Sequence, residues 1–283
     1  YVGTFPVKEG GALTFETPPL KERTHLLGRP EVILELSADK PRAMVAVRLS
    51  DIAEDGRGTR VTYGMLNLTH RDSHEFPEDL EPHKKYQVRV PMNYLAQSFP
   101  AGHRIRLSVS TSYWPVAWPA PETFQLKVYP GSSRLILPVR NYGQEDFEAA
   151  PFEYAPPLEG ISTRELRPEH KEWTVSHNLK DGSVQVNVHN NEPVLYLEDI
   201  DLAMQRDVHE TYSHISNHVE TVRGQVVSTR GFTRNNRELL AVTRTVMTST
   251  ATMFKIIATL DAWEGETRVF SKSWDEVILR DML

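Results

Sequence analysis

The 283 residues contain no cysteine, which removes disulfides, thiolate metal sites and a cysteine nucleophile. Chemistry must then be sought among serine, histidine and carboxylates. His209, His214 and His218 fall within ten residues, close to Glu210 and Glu220. The H-E-x-x-H zinc motif is nevertheless broken, because Ser213 stands where the second histidine belongs and His214 comes one place late. In an extended strand His214 and His218 share a face and His209 opposes them, whereas a metal needs three or four converging ligands. Surface histidines flanking a turn are the simpler reading. A second pair, His70 and His74, brackets Asp72 and invites a hydrolytic His–Asp reading, with His103 or a serine as neighbour. A triad is recognised by geometry, however, and nothing around Thr69–Glu78 supplies an orienting context. His103 follows Gly102 and reads as a strand-initiating residue whose ring bridges the turn.

A serine hydrolase of α/β type requires a nucleophile elbow, G-x-S-x-G, on a strained turn from strand to helix. The nearest approaches are Gly131-Ser132-Ser133 and Gly182-Ser183-Val184, which lack the second glycine and read as ordinary turns. The alternation of strands and helices that a parallel α/β sheet needs is missing as well. No residue is therefore assigned a catalytic, cofactor-binding or metal-binding role, no cofactor is expected, and the chain alone is expected to hydrolyse nothing.

The remaining candidate is a recognition surface. Residues 99–118 run from a Pro-Ala-Gly turn into an alternating strand and then a loop holding Tyr113, Trp114 and Trp118, braced by Pro115 and Pro119. Proline-braced aromatics at a strand end bury on the order of 2–3 kcal/mol per ring when covered. Three readings follow: a sugar-stacking platform, a wall lent to a hydrolase pocket from another domain, or an inter-domain contact. The enrichment of Trp and Tyr at interfaces favours the last, so Tyr113, Trp114 and Trp118 are the domain-docking or cleft-rim candidates.

Strand signals dominate the elements that would position this loop. In the first half, alternation predicts strands over 13–17, 32–37, 44–51, 60–69, 86–92, 104–111, 124–129 and 134–139. Glu54-Asp55-Gly56-Arg57-Gly58 is a hairpin signal between two of them. Two segments, 78–85 and 93–98, look briefly helical. In the second half Val184, Val186 and Val188 alternate after the Lys180-Asp181-Gly182 turn. Further strands are predicted around 194–204, 219–229, 238–249, 252–262 and 267–274, with a tight connection at 261–266. Residues 204–218 fit neither period.

Charge and composition bound the partners. Residues 1–150 hold 18 basic and 18 acidic side chains, and residues 151–283 hold 14 and 20, so the second half carries the whole net charge of −6. Neither half offers the basic stripe that nucleic acid requires. No run approaches the roughly 20 apolar residues of a membrane span. Absence of cysteine fits a cytoplasmic protein, although secretion is compatible with it. Tyr1 is not an initiator methionine and no leader follows it, so the chain reads as a fragment or a processed product. Between the halves, residues 141–160 carry three prolines and two glycines without alternation. The resulting plan is all-β: a jelly-roll sandwich over 1–145, a linker over 146–160, and a second antiparallel β-rich unit over 161–283. Exposed aromatics leave self-association, a homo-oligomer, open.

The first half resembles the C-terminal β-sandwich of the cocaine-esterase (CocE/NonD) hydrolases and X-Pro dipeptidyl-peptidases, often described as galactose-binding-like. The resemblance rests on Leu27-Gly28-Arg29-Pro30, Val47-Arg48-Leu49-Ser50-Asp51 with Glu54-Asp55-Gly56, and Gly64-Met-Leu-Asn67-Leu-Thr-His70-Arg71. Phe99-Pro-Ala-Gly102-His103-Arg104-Ile-Arg106-Leu and Leu135-Ile-Leu-Pro138-Val139 complete it across about residues 10–140. The tail is similar to the β-rich extension of longer members through Leu197-Glu-Asp199-Ile-Asp201-Leu, Met247-Thr-Ser249-Thr-Ala-Thr252, Val269-Phe-Ser-Lys-Ser-Trp274 and Ile278-Leu-Arg280-Asp281. The resemblance implies a parent enzyme with an N-terminal α/β-hydrolase domain that cleaves ester, amide or X-Pro bonds through Ser, Asp and His upstream of Tyr1. That catalytic domain is the partner expected for this chain. An autonomous carbohydrate-binding module is the alternative.

Overall fold

A computed structural model describes residues 11–140 and 160–282. The chain divides into two compact units, residues 1–150 with 282–283 and residues 151–281. Both are built from antiparallel strands, and the only helical pieces among the described residues are single 3-10 turns. The predicted linker over 146–160 lies outside the described residues except for Gly160.

Eleven strands form the first unit: β1 (Leu13–Glu16), β2 (Thr24–Gly28), β3 (Glu31–Ala38), β4 (Met44–Ile52), β5 (Gly58–Asn67), β6 (Tyr86–Pro91), β7 (Leu95–Phe99), β8 (Arg104–Ser110), β9 (Leu126–Val128), β10 (Arg134–Ile136) and β11 (Val139–Arg140). They assemble as three sheets, ordered β1-β8-β4-β5, β10-β3-β6 with β9 also on β3, and β11-β2-β7. Alternation decides what each strand buries. Val45, Val47 and Leu49 of β4 sit beside Val109 and Leu107 of β8, and this row packs with Val32, Leu34, Leu36, Val88 and Val90 in one core. The β4–β5 hairpin closes at the expected Asp-Gly turn. Gly56 takes a φ of 84°, and the Asp55 carboxylate accepts the Arg57 N–H at 3.0 Å.

Two expectations fail here for identifiable reasons. Residues 93–98 are not helical, because β7 pairs along its whole length with β2, from Thr24 opposite Phe99 to Gly28 opposite Leu95. A ladder with a neighbouring strand overrides weak local preference in so short a segment. Residues 78–85 are not helical either. Pro82 interrupts the segment, and its backbone is tied outward instead, Leu80 N–H to Pro41 O at 2.8 Å and His83 N–H to Ala38 O at 2.7 Å.

The second unit is one nine-stranded sheet. Its strands are β12 (Thr163–Arg167), β13 (His170–His177), β14 (Ser183–Asn191), β15 (Val194–Leu197), β16 (Leu202–Ile215), β17 (His218–Arg234), β18 (Arg237–Ser249), β19 (Met253–Glu264) and β20 (Thr267–Leu279). The order is β12-β15-β16-β17-β18-β19-β20, with β14 also on β16 and β13 on β14. The stretch 204–218, without clear period in sequence, lies mostly in β16, held on both edges by β14 and β17. The predicted connection at 261–266 is shorter than expected: strand continues through Glu264, and Gly265 with a φ of 56° makes the turn. Among this unit's described residues only Val222, Gly224, Ser249, Phe254 and Arg280 are buried.

Gly64 is a test of the first unit's packing. It lies opposite Val47 on β5, and a Cβ there would sit 2.3 Å from the backbone oxygen of Pro91 and 3.1 Å from the Met92 Cα. Replacing Gly64 with alanine forces backbone against backbone, and we expect a loss of about 1–3 kcal/mol of stability. Urea unfolding reads this as a lower midpoint at unchanged slope; an unaltered midpoint contradicts the close approach.

Candidate functional site

The face of the β1-β8-β4-β5 sheet opposite the core carries the polar halves of the same alternation. Register places Thr14, Ser108, Arg48 and Tyr63 in one row and Glu16, Arg106, Ser50 and Arg60 in the next. Glu16 bridges two cations of β8: its carboxylate meets Arg104 at 2.7 Å and Arg106 at 2.5 Å. This face is covered as well, since Ser108 and Ala46 are 0 % exposed and Ser50 is 1 % exposed.

The aromatic loop begins where β8 ends. Ser110 donates its hydroxyl to the Ser112 carbonyl at 2.9 Å, and the Ala117 N–H returns to the Tyr113 carbonyl at 3.0 Å, closing the loop on itself. This places the Tyr113 ring against β4 and β5. It meets Tyr63 edge-on with centroids 5.3 Å apart, and the Arg48 and Arg60 guanidinium groups stand 5.4 and 5.9 Å from its centre. Arg60 also donates a hydrogen bond to the Tyr113 hydroxyl. Trp114 and Trp118 face each other at 90° with centroids 5.0 Å apart, both half-buried, and the Trp114–Pro115 peptide is cis. Val116 at the tip is 48 % exposed. Cation–π and edge-to-face contacts of this kind hold rings at fixed angles, so the loop presents a shaped surface.

Tyr113, Trp114 and Trp118 thus occur together, but not as one stack. Tyr113 belongs to the arginine-tyrosine cluster, and the two indoles form their own pair. Arg48, Arg60 and Tyr63 are members that sequence reading leaves out. Their signal is available only once the register is known: Arg48 pairs with Tyr63 across the hairpin.

The histidine candidates separate. His209 lies opposite His189, whose ring centroid is 4.0 Å away, and His189 Nε2 meets the Asp207 carboxylate at 2.9 Å. His214 Nδ1 lies 2.9 Å from the Ser216 carbonyl, and His218 Nδ1 is 3.1 Å from Glu220. Among the described residues no three His, Asp or Glu side chains converge as metal ligands. His70 and His74 approach each other, Nδ1 to Nδ1 at 3.4 Å, while Asp72 turns to Arg71 at 3.2 Å. Ser73 is engaged as a turn acceptor for the Glu75 and Phe76 N–H groups. His103 does find a carboxylate, Asp51 on β4, at 2.8 Å, joining β8 to β4.

What this unit assembles is a stacking and ion-pairing surface on an all-β support. Residues 6–151 match the family described as the X-Pro dipeptidyl-peptidase C-terminal non-catalytic domain, and the chain belongs to that family. Comparison with curated proteins finds no match. Among solved structures the chain is similar to an alpha-amino acid ester hydrolase, at 25 % identity and a TM-score of 0.44 over 46 % of this chain and 25 % of that one. It is also similar to an aminopeptidase from a marine sediment Thaumarchaeota archaeon, at 20 % identity and a TM-score of 0.45 over 48 % and 27 %. A CocE/NonD family hydrolase from Staphylococcus aureus aligns at 15 % identity and a TM-score of 0.41 over 48 % and 32 %. The aligned part thus spans between a quarter and a third of those chains. No helix among the described residues is long and apolar enough to cross a membrane.

One side chain offers a direct check of the local geometry of β16. On β16 the Tyr212 hydroxyl donates to Glu210 at 2.5 Å. Burial first, then that hydrogen bond to a carboxylate, pushes the phenol from its usual value of 10 up to about 12. A folded-state value above the unfolded one contributes stability that is complete below about pH 10 and lost as the pH rises through about 12. In an alkaline absorbance titration of the ten tyrosines, Tyr212→Phe is expected to remove the highest-pH component. Retention of that component contradicts the Tyr212–Glu210 bond.

Proposed function

We propose that this chain is the non-catalytic C-terminal β region of an α/β serine hydrolase of esterase, amidase or X-Pro dipeptidyl-peptidase type. It supports a catalytic domain of the same polypeptide and lends it a rim through Tyr113, Trp114 and Trp118. In this reading residues 1–145 are a jelly-roll, galactose-binding-like sandwich, 146–160 a linker and 161–283 an extension. The observation that carries the proposal is the family match over residues 6–151, to a domain described as non-catalytic. The aromatic loop gives it a physical means. Its Tyr113 ring is held by Arg48, Arg60 and Tyr63, its two indoles pack on each other, and Pro115 and Pro119 restrain it, so little ordering entropy is lost when a partner covers it.

The chain alone is expected to give only background turnover of activated esters and X-Pro anilides. Saturable hydrolysis that a serine-directed reagent abolishes would contradict this. In a longer polypeptide carrying the catalytic domain, the double substitution Trp114→Ala, Trp118→Ala should lower thermal stability while the turnover of the molecules that remain folded is kept. Because each ring is already half-buried, docking covers the remainder, about 1–2 kcal/mol per ring at about 25 cal/mol per Å². Unchanged stability together with loss of binding to a soluble sugar overturns the docking role.

A further inference from the structure

The second unit ends in a strand whose outer edge pairs with nothing among the described residues. β20 is 13 residues long and hydrogen-bonded along one side only, to β19. Both of its faces are apolar toward the ends: Val269, Phe270, Val277, Ile278 and Leu279 are 47–66 % exposed. A register shift at Val269 interrupts the ladder near one end, but from Phe270 to Leu279 the edge is regular, and a regular edge of this length is a template for another strand. The middle of the strand carries Lys272 and Glu276. Neither has an ion-pair partner among the described residues, Lys272 resting instead over the Trp274 ring at 4.9 Å.

We propose that this edge joins a second copy of the chain, strand β20 against strand β20, antiparallel about a two-fold axis at Trp274. Opposite residues in an antiparallel ladder share a face, so a two-fold register must centre on a residue. Centring on Trp274 sets Lys272 against the partner's Glu276 and Glu276 against the partner's Lys272. The same register sets Phe270 against the partner's Ile278. Lys272 and Glu276 then each meet the opposite charge, and Phe270 and Ile278 meet each other. Neighbouring registers do not achieve this. Centring on Ser273 puts Phe270 against the partner's Glu276, and centring on Asp275 puts two carboxylates face to face. On the opposite margin, Lys171 and Glu172 of β13 are adjacent, lie on opposite faces and meet in no two-fold register, and β12 is only five residues long.

Charge reversal tests the register. In sedimentation velocity at micromolar concentration the 283-residue chain should be a dimer. K272E places two pairs of acids in contact and E276K two pairs of bases, so each alone should weaken the dimer by at least about tenfold. An equimolar mixture of the two variants restores opposite charges at both contacts and should dimerise, as should the double variant K272E/E276K. Circular dichroism on each variant separates dissociation from unfolding, and the mixture reports on the register even if one variant is less stable. The chain has no other cysteine, so Trp274→Cys places one thiol beside its own copy at the axis and should oxidise to a disulfide-linked dimer. A monomeric wild-type chain overturns the proposal. So does a dimer indifferent to both reversals, or one that neither the mixture nor the double variant restores.

Discussion

Period-two alternation in strands β4 and β8 is the constraint on which the rest of the first unit depends. One register buries Val45, Val47 and Leu49 with Leu107 and Val109 in the core. The same register sends Arg48, Ser50, Arg106 and Ser108 to the other face. A slip by one residue would exchange the two sets, driving guanidinium groups into the core and its aliphatic side chains out among the polar groups, so hydrophobic burial fixes the polar face as firmly as the apolar one. The aromatic loop depends on this in turn. Tyr113 leans on Arg48 and Tyr63, which are opposite each other only in that register.

The two units resolve the problem of sheet faces differently. In the first, three sheets cover one another's apolar sides, and side chains such as Val32, Leu36 and Val47 are wholly withdrawn from water. In the second, nine strands extend as one sheet, and strength comes mainly from its ladders of backbone hydrogen bonds and cross-strand pairs. A buried knot, with Arg280 over the Phe254 ring at 4.8 Å, closes one end. A sheet so built leaves its margins and much apolar surface exposed.

Strands bordered by a core were legible in sequence because burial on one side imposes alternation: β3, β4, β6 and β8 lie within a residue or two of where the pattern puts them. Strands without that bias were not. β7 is defined by its partner β2 rather than by its own residues, and β12 and β13 are exposed along their length, with no buried side to write a period. The aromatic loop was legible as a cluster of Trp, Tyr and Pro. Its arginines were not, because Arg48 and Arg60 reach Tyr113 only through hairpin pairing and chain reversal. For the same reason the histidines that share a place, His189 and His209, are 20 residues apart in sequence and cross-strand neighbours in space.

The central claim, that the loop is a docking surface, is tested most directly by hydroxyl-radical footprinting of Tyr113, Trp114 and Trp118. The comparison is between this chain alone and a longer polypeptide that carries the catalytic domain. The account predicts that all three rings, and Val116 at the tip, are modified in the isolated chain and protected in the longer one, while exposed Phe76 and Tyr94 on the same unit react equally in both. Equal modification of the loop in the two polypeptides contradicts it.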